Sequence, residues 1–384
     1  MSMSARMAER AVDAFISRTG ANSIPFSIEM PEGQVRTVGD SEPVFRATLR
    51  NDRAVKAVRS LDEGIIAEAY MRGDIELDGD MLQPFALRSS LDDRHPLTNV
   101  WRFLQPLLFG QVHTNKQAIQ SHYDAEPRLF LSFLDETHPA YSQGVYESDD
   151  EQLATALERK FNYAVERCEL GPGKRVLEIG PGWGAFAGYT LQSGIDFTGI
   201  TNSAVQQKYL TNNLSAHSDR FRILLTDFLR YEPKEKFDAI VIMGVIEHLP
   251  QYERVLSKFY HLLKPGGSVF LDGSASRQKY EFSSFMARYI YPGNHSYLVL
   301  HDLLNKLAKT KLELIELFND SWSYFLTFRQ WALNLERNKD FVREEFGEFE
   351  YRKFRLYLWA LAYQFHARHM ECYRMTLYKP KTAS

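Results

Sequence analysis

From Gln152 to Ser274 apolar strand-like runs alternate with amphipathic stretches, and this alternation constrains the fold more than any other feature. "QLATALERKFNYAVERCEL" reads as a helix, "RVLEIG" as a strand, "DFTGIT", "FRILLTD" and "FDAIVIMG" as further strands. A helix predicted to end in "LLKPGG" then leads to the strand "SVFLDGS". The strands are continuously apolar rather than alternating, so both sheet faces must be covered. The expected class is α/β, a doubly wound and mostly parallel sheet of the Rossmann-like kind.

The first 91 residues follow a different pattern. "VRTVGDSEPVFRATLRND" reads as short strands split by turn residues, and "IIAEAYMRGDIELDGDMLQPF" as helix, turn and strand. We expect a small N-terminal α+β domain over 1–91 and a linker or helical connection over 92–120. The larger domain follows over 121–384, with a helical insertion at about 275–345. The tail from Tyr351 reads as an aromatic-rich helix and a closing strand.

The first strand of the larger domain runs into "VLEIGPGWGAF". A glycine-rich turn between strand and helix lets backbone approach a ligand and aims helix N-terminal amides at it. Here Gly180, Gly182 and Gly184 follow G-x-G-x-G rather than the dinucleotide G-x-G-x-x-G. Glu178 precedes the first glycine by two residues; it would repel a pyrophosphate but can pair with an ammonium. The second strand ends in Thr201 and Asn202, with Gln206 beyond, and carries no acid to hold a nicotinamide ribose. S-adenosylmethionine, with an ammonium, a sulfonium and no phosphate, fits this pattern. Asp227 and Phe228 close the third strand, where such sheets read an adenine; Asp227 could equally cap a helix. Glu247 and His248 lie past the carboxyl end of the next strand, the ligand side of a doubly wound sheet.

These segments, in this order, resemble the cyclopropane fatty acid synthase family of S-adenosylmethionine-dependent methyltransferases. "GIIAEAYMRGDIELDGDM" is similar to the family's N-terminal signature, and "HYDAEPRLFLSFLDETHPAYSQGVY" to the segment that closes over the cofactor. "GITNSAVQ", "RYIYPGN", "YFLTFRQW" and "FHARHMECYRMTL" match further elements. The resemblance implies the class I methyltransferase fold, cofactor contacts from Tyr141 and Ser142, and transfer of a methyl or methylene group to the alkene of an unsaturated lipid chain. It also implies a bicarbonate ion that takes up a proton, held in part by Glu247 and by Tyr324 in a motif completed by Thr327 and Trp331. Two positions depart from the family: Gln143 stands where it has Cys, and "LDGSAS" puts Asp272 and Ser274 where it has His and Ile. A further carboxylate opposes anion binding, so Asp272 is read as a base in place of bicarbonate, or as a group that receives a cationic or hydroxylated acceptor. Phe282, Phe285, Tyr289, Tyr291, Tyr297, Trp322, Tyr324 and Phe328 supply aromatic faces for an apolar or cationic acceptor.

Composition narrows the alternatives. A net charge of -3 with dispersed Lys and Arg gives no drive toward nucleic acid. Cys168 and Cys372 form no metal pattern, and a reducing cytoplasm is the expected setting. The start "ARMAERAVDAFISRT" is expected to be a docked helix, with peripheral contact at the inner membrane face left open. A homodimer is an expectation from the resemblance. Two acceptor classes stay open: an unsaturated lipid chain, or a small molecule methylated at carbon or nitrogen. A cofactor-binding scaffold without catalysis is the third class.

Overall fold

The computed structural model describes residues 3–19, 24–93, 127–217, 219–278, 283–291 and 296–381. Most of the expected 92–120 connection lies outside the described residues, as do Tyr123, Asp124 and Phe282.

The chain divides into two compact units. The first comprises Met1–Phe103, Phe282–Ile290 and Ala332–Tyr363. Its sheet contains β1 (Phe26–Glu29), β2 (Val35–Val38), β3 (Phe45–Leu49) and β4 (Ile75–Gly79), in the order β2-β1-β3-β4. β1 and β3 run parallel, while the outer strands pair antiparallel to them. Helix α1 (Met3–Thr19) buries Ala5, Ala8, Ala11 and Val12, one face at helical spacing. That apolar face packs on α2 (Asp52–Ser60), as expected for a docked helix. Asn51 caps α2 through Arg53 and Ala54, and Asp62 caps α3 (Glu63–Met71) through Ile65, satisfying amide groups left open at helix starts.

The second unit comprises Leu104–Glu281, Tyr291–Trp331 and Gln364–Ser384. Its seven-stranded sheet contains β5 (Arg175–Ile179), β6 (Asp196–Thr201), β7 (Phe221–Leu225), β8 (Phe237–Met243), β9 (Leu263–Ala275), β10 (Glu313–Asn319) and β11 (Glu371–Tyr378). The order is β10-β11-β9-β8-β5-β6-β7. β9, β8, β5, β6 and β7 are parallel neighbours, and β11 inserts antiparallel between β9 and β10. The expected doubly wound, mainly parallel sheet is therefore present. The order reverses beside β5, which has β6 on one side and β8 on the other, and such a switch point opens a crevice at the carboxyl ends of the strands.

The helices in chain order are α4 (Pro127–Leu131), α5 (Leu153–Arg167), α6 (Ala185–Leu191), α7 (Ala204–Asn213), α8 (Tyr252–Leu262), α9 (Leu300–Leu307), α10 (Ser321–Arg337), α11 (Lys339–Phe346) and α12 (Glu348–His366). The helix expected to end in "LLKPGG" does so at Leu262, and Leu263 already belongs to β9. Pro265 explains this, because it drives the residue before it out of the helical region. The stretch 275–345, read as one insertion, is shared between the two units. Leu177, Ile179, Ile240, Ile242, Val269 and Leu271 from the strands pack with Val255, Leu256 and Phe259 of α8 in one core.

Within the first unit, Arg352 is buried and fully engaged. Its guanidinium donates to the carbonyls of Tyr70 (3.3 Å) and Ile75 (3.2 Å) and to the carboxylates of Glu76 and Glu348 (2.5 Å each). Replacing Arg352 with Met strands two carbonyls and two acids and is expected to cost about 2 kcal/mol, discounted for the partly exposed acids. Chemical denaturation of the single variant reads this directly.

Candidate active site

The β5 strand buries Val176, Leu177 and Ile179 and delivers Glu178, also buried, to its carboxyl end. The chain then turns through Gly180 and Gly184 at φ of +69° and +85°, a region that side chains with a Cβ avoid. Close approach reinforces the requirement. A Cβ on Gly180 would lie 2.6 Å from Val245 Cγ2, and one on Gly184 would lie 2.5 Å from Leu210 Cδ2. The turn is thus pressed against the loop after β8 on one side and against α7 on the other.

These loops enclose a cleft of about 950 Å³, counting its open mouth. Tyr141, Ser142, Glu178, Gly180 and Gly182 line it, with Thr201, Asn202 and Gln206 from the β6–α7 segment. Asp227, Phe228 and His248 complete the expected set. Gly184, also expected there, is not among the lining residues; it is the N-cap of α6. Thr201 donates to Gln206 Oε1 at 2.8 Å, and Ser203 caps α7 through the Gln206 amide, so this segment is rigidly closed on itself. Asp227 does cap a 3-10 turn, accepting from Leu229 N at 2.9 Å, while it lines the cleft. Its two readings are compatible.

The cleft is electrostatically unusual. Burial pushes the Glu178 carboxyl up to about 8, against the opposing pull of Lys160, and its Oε2 has no partner. Burial also depresses the His248 imidazole to about 4, so it is neutral at physiological pH, edge-on to Tyr291 at 5.9 Å. An uncharged ring and an acid awaiting a cation suit an ammonium-bearing ligand better than a phosphate.

Gln143, Glu247, Asp272 and Tyr324 are buried and are not among the lining residues; Glu247, Asp272 and Tyr324 form a polar cluster. Glu247 Oε1 accepts from Ser274 N at 2.7 Å, and Tyr324 hydrogen-bonds Ser274. Burial raises the Glu247 carboxyl to about 7 and leaves Oε2 unpartnered. Asp272 Oδ1 accepts from Gly244 N at 2.8 Å, and its Oδ2 lies 3.4 Å from Lys160 Nζ. Both polar atoms of the Gln143 side chain are buried without partners, although its neighbours are pinned: Ser142 by Lys160 and Gly144 by Thr327. Aromatic rings surround the cluster. Tyr324 lies 4.7 Å from both Phe328 and Phe365, and Trp331 lies 5.3 Å from Tyr141. The expected acceptor-side aromatics do not all join it. Phe285 and Tyr289 belong to the first unit, where Tyr289 donates to Glu68, and Trp322 is part-exposed and donates to Asp149.

A family model described as "Mycolic acid cyclopropane synthetase" matches residues 111–375. The chain belongs to this family. Its members use S-adenosylmethionine, and the present chain is a methyltransferase of that kind. A second model, a domain of unknown function (DUF7884), matches residues 15–87. The chain is 28% identical to the cyclopropane-fatty-acyl-phospholipid synthase of Escherichia coli, covering 83% of this chain and 84% of that one. It is 26% identical to a sphingolipid C9-methyltransferase of Komagataella phaffii over 73% of this chain, and spans only 62% of that protein's length. Among solved structures, the cyclopropane synthase MmaA2 of Mycobacterium tuberculosis superposes with a TM-score of 0.63 at 25% identity, covering 69% of this chain and 98% of that one. A coclaurine N-methyltransferase shares the fold at a TM-score of 0.61 and 17% identity, over 82% and 98% of the two chains.

Sequence reasoning missed Lys160, the cation that faces these acids. A signal existed: it occupies an apolar-stripe position of α5, between Leu157 and Ala164. Substitution of Gly180 with Ala is expected to strain the backbone and push Val245 aside. A loss of about 1–3 kcal/mol in thermal or denaturant unfolding would show it, accompanied by weakened S-adenosylhomocysteine binding in calorimetry.

Proposed function

We propose that the protein transfers a methyl or methylene group from S-adenosylmethionine to an alkene carbon of an unsaturated lipid chain, with a protein carboxyl as proton acceptor. The observation that carries this reading is the pair of buried carboxyls, Glu247 with one oxygen that accepts no hydrogen bond and Asp272 with one oxygen facing only Lys160, amid aromatic rings. The relatives named for phospholipid acyl chains and sphingolipids support a lipid acceptor.

Glu178, with its free oxygen in the cleft, holds the ammonium end of the cofactor, and Tyr141, Ser142, Gly180 and Gly182 shape its surroundings. Thr201, Asn202, Gln206, Asp227 and Phe228 hold the nucleoside. The bound cofactor supplies an electrophilic methyl: its transfer breaks the sulfur–carbon bond, forms a carbon–carbon bond and leaves a cation on the adjacent alkene carbon. Tyr324, Phe328 and Trp331 offer π-faces to that positive charge. Asp272 accepts the proton that the cation loses, and the electron pair left behind closes a ring or forms a new alkene. Glu247 and Tyr324 hold Ser274, which fixes the strand beside Asp272.

Bicarbonate does not fit the residues present. The backbone N–H groups of Ser274 and Gly244 already donate to Glu247 and Asp272, and two carboxyls oppose a third anion. The same carboxyls and rings would also receive an amine, which favours a small cationic acceptor as the second reading.

Incubation with labelled S-adenosylmethionine and a lipid extract, followed by mass spectrometry and proton NMR, tests the acceptor. A one-carbon gain in a fatty chain is expected; label confined to small amines overturns the lipid reading. Asp272→Asn is expected to lower turnover at least about ten-fold, with no recovery on adding bicarbonate. Strong dependence of the natural protein on bicarbonate would sink the side-chain base.

Glu178 has its own signature. With a carboxyl near 8 it is mostly protonated at pH 7, and pairing with an ammonium requires ionisation. Cofactor binding at pH 7 should therefore release up to about one proton, visible as a buffer-dependent calorimetric enthalpy. Glu178→Gln should abolish the release and weaken binding.

A further inference from the structure

Lys160 is fully buried on α5, on the stripe formed by Leu153, Ala156, Leu157, Phe161 and Ala164. An apolar side chain would continue that stripe, and a buried ion pair is a poor source of stability compared with good apolar packing. Its ammonium instead makes two contacts. It donates to Ser142 Oγ at 2.7 Å, in the wall of the cofactor cleft, and lies 3.4 Å from Asp272 Oδ2 in the polar cluster.

We propose that Lys160 is a positioning residue for methyl transfer: it ties Ser142 to Asp272 and supplies that carboxyl's counter-charge. The inference rests on the reading of Asp272 as proton acceptor. One contact fixes the segment bearing Tyr141 and Gln143 relative to the sheet; the other holds Asp272 in one rotamer, with Gly244 N–H on its opposite oxygen. The surrounding charges leave this role to Lys160. From the other packed elements Asp272 faces Glu178 on β5, Glu247 after β8, and Asp320, Tyr324, Cys372 and Arg374 around α10 and β11. Arg374 on β11 is the register partner of Asp272 on the adjacent β9, but its guanidinium is spent on Asp320 at 2.7 Å. Burial raises the Asp272 carboxyl and lowers the Lys160 ammonium, and each charge opposes the shift of the other. Without the ammonium the carboxyl would stay protonated to higher pH, and a base protonated at working pH cannot accept a proton.

The test compares Lys160→Met, Lys160→Arg and Ser142→Ala in the full chain. Lys160→Met is expected to lower kcat at least about ten-fold and move the acid limb of the kcat profile up by roughly one pH unit or more. Lys160→Arg, which keeps the charge, should return the limb toward its natural position. Ser142→Ala should raise KM for S-adenosylmethionine and weaken S-adenosylhomocysteine binding several-fold, with a smaller change in kcat. A Lys160→Met protein with natural kcat and an unmoved limb overturns the proposal, as does a Lys160→Arg limb displaced as far as that of Lys160→Met. If Lys160→Met does not fold, Ser142→Ala decides: unchanged KM and unchanged S-adenosylhomocysteine affinity overturn it. That affinity is measured without acceptor, so it separates the two claims. Full turnover in Asp272→Asn defeats the base assignment, while weakened binding in Ser142→Ala still supports the Lys160 tie.

Discussion

The contact between the Gly180 turn and Val245 governs the site. The loops after β5 and β8 meet at the point where the sheet order reverses, and they approach so closely that a single Cβ would lie 2.6 Å from the valine. This seam sets the cleft floor. On its β5 side it places Glu178; on its β8 side it places Gly244, whose amide holds Asp272. Lys160 then links Asp272 back to Ser142 in the cleft wall. Cofactor cleft and polar cluster are therefore joined by a short chain of contacts rather than by proximity alone.

Burial does the chemical tuning. Glu178, Glu247 and Asp272 have raised carboxyls, and His248 is depressed, because each sits in a poorly solvated interior. A site with unpartnered carboxyl oxygens is unstable by itself and gains when a cation enters, which matches a ligand carrying an ammonium and a sulfonium. Perturbed titrations gathered beside one cleft are the usual mark of function rather than of structure. The extensive aromatic packing around Tyr324 adds apolar bulk with π-faces, a surrounding suited to positive charge in a dry setting.

Much of this is legible in the sequence. Glycine spacing, Glu178 and the Thr201–Gln206 segment pointed to the cofactor, since each depends on local sequence: a turn, a strand end and a helix cap. What the sequence hides depends on effects distant in the chain. The stretch 275–345 divides between the two compact units, a partition set by contacts remote in the chain. Lys160 was passed over because a lysine on a helix normally reads as solvent-facing.

The sequence by itself determined the doubly wound sheet, the glycine turn and the identity of the acids at the strand ends, because periodicity and backbone chirality act over a few residues. Only the tertiary structure decided how those acids are charged and held. That depends on desolvation and on partners remote in the chain: Lys160 and Asp272 are far apart in sequence and 3.4 Å apart in space. The departure of Asp272 from the family pattern was visible as a letter; its pairing with a buried ammonium was not.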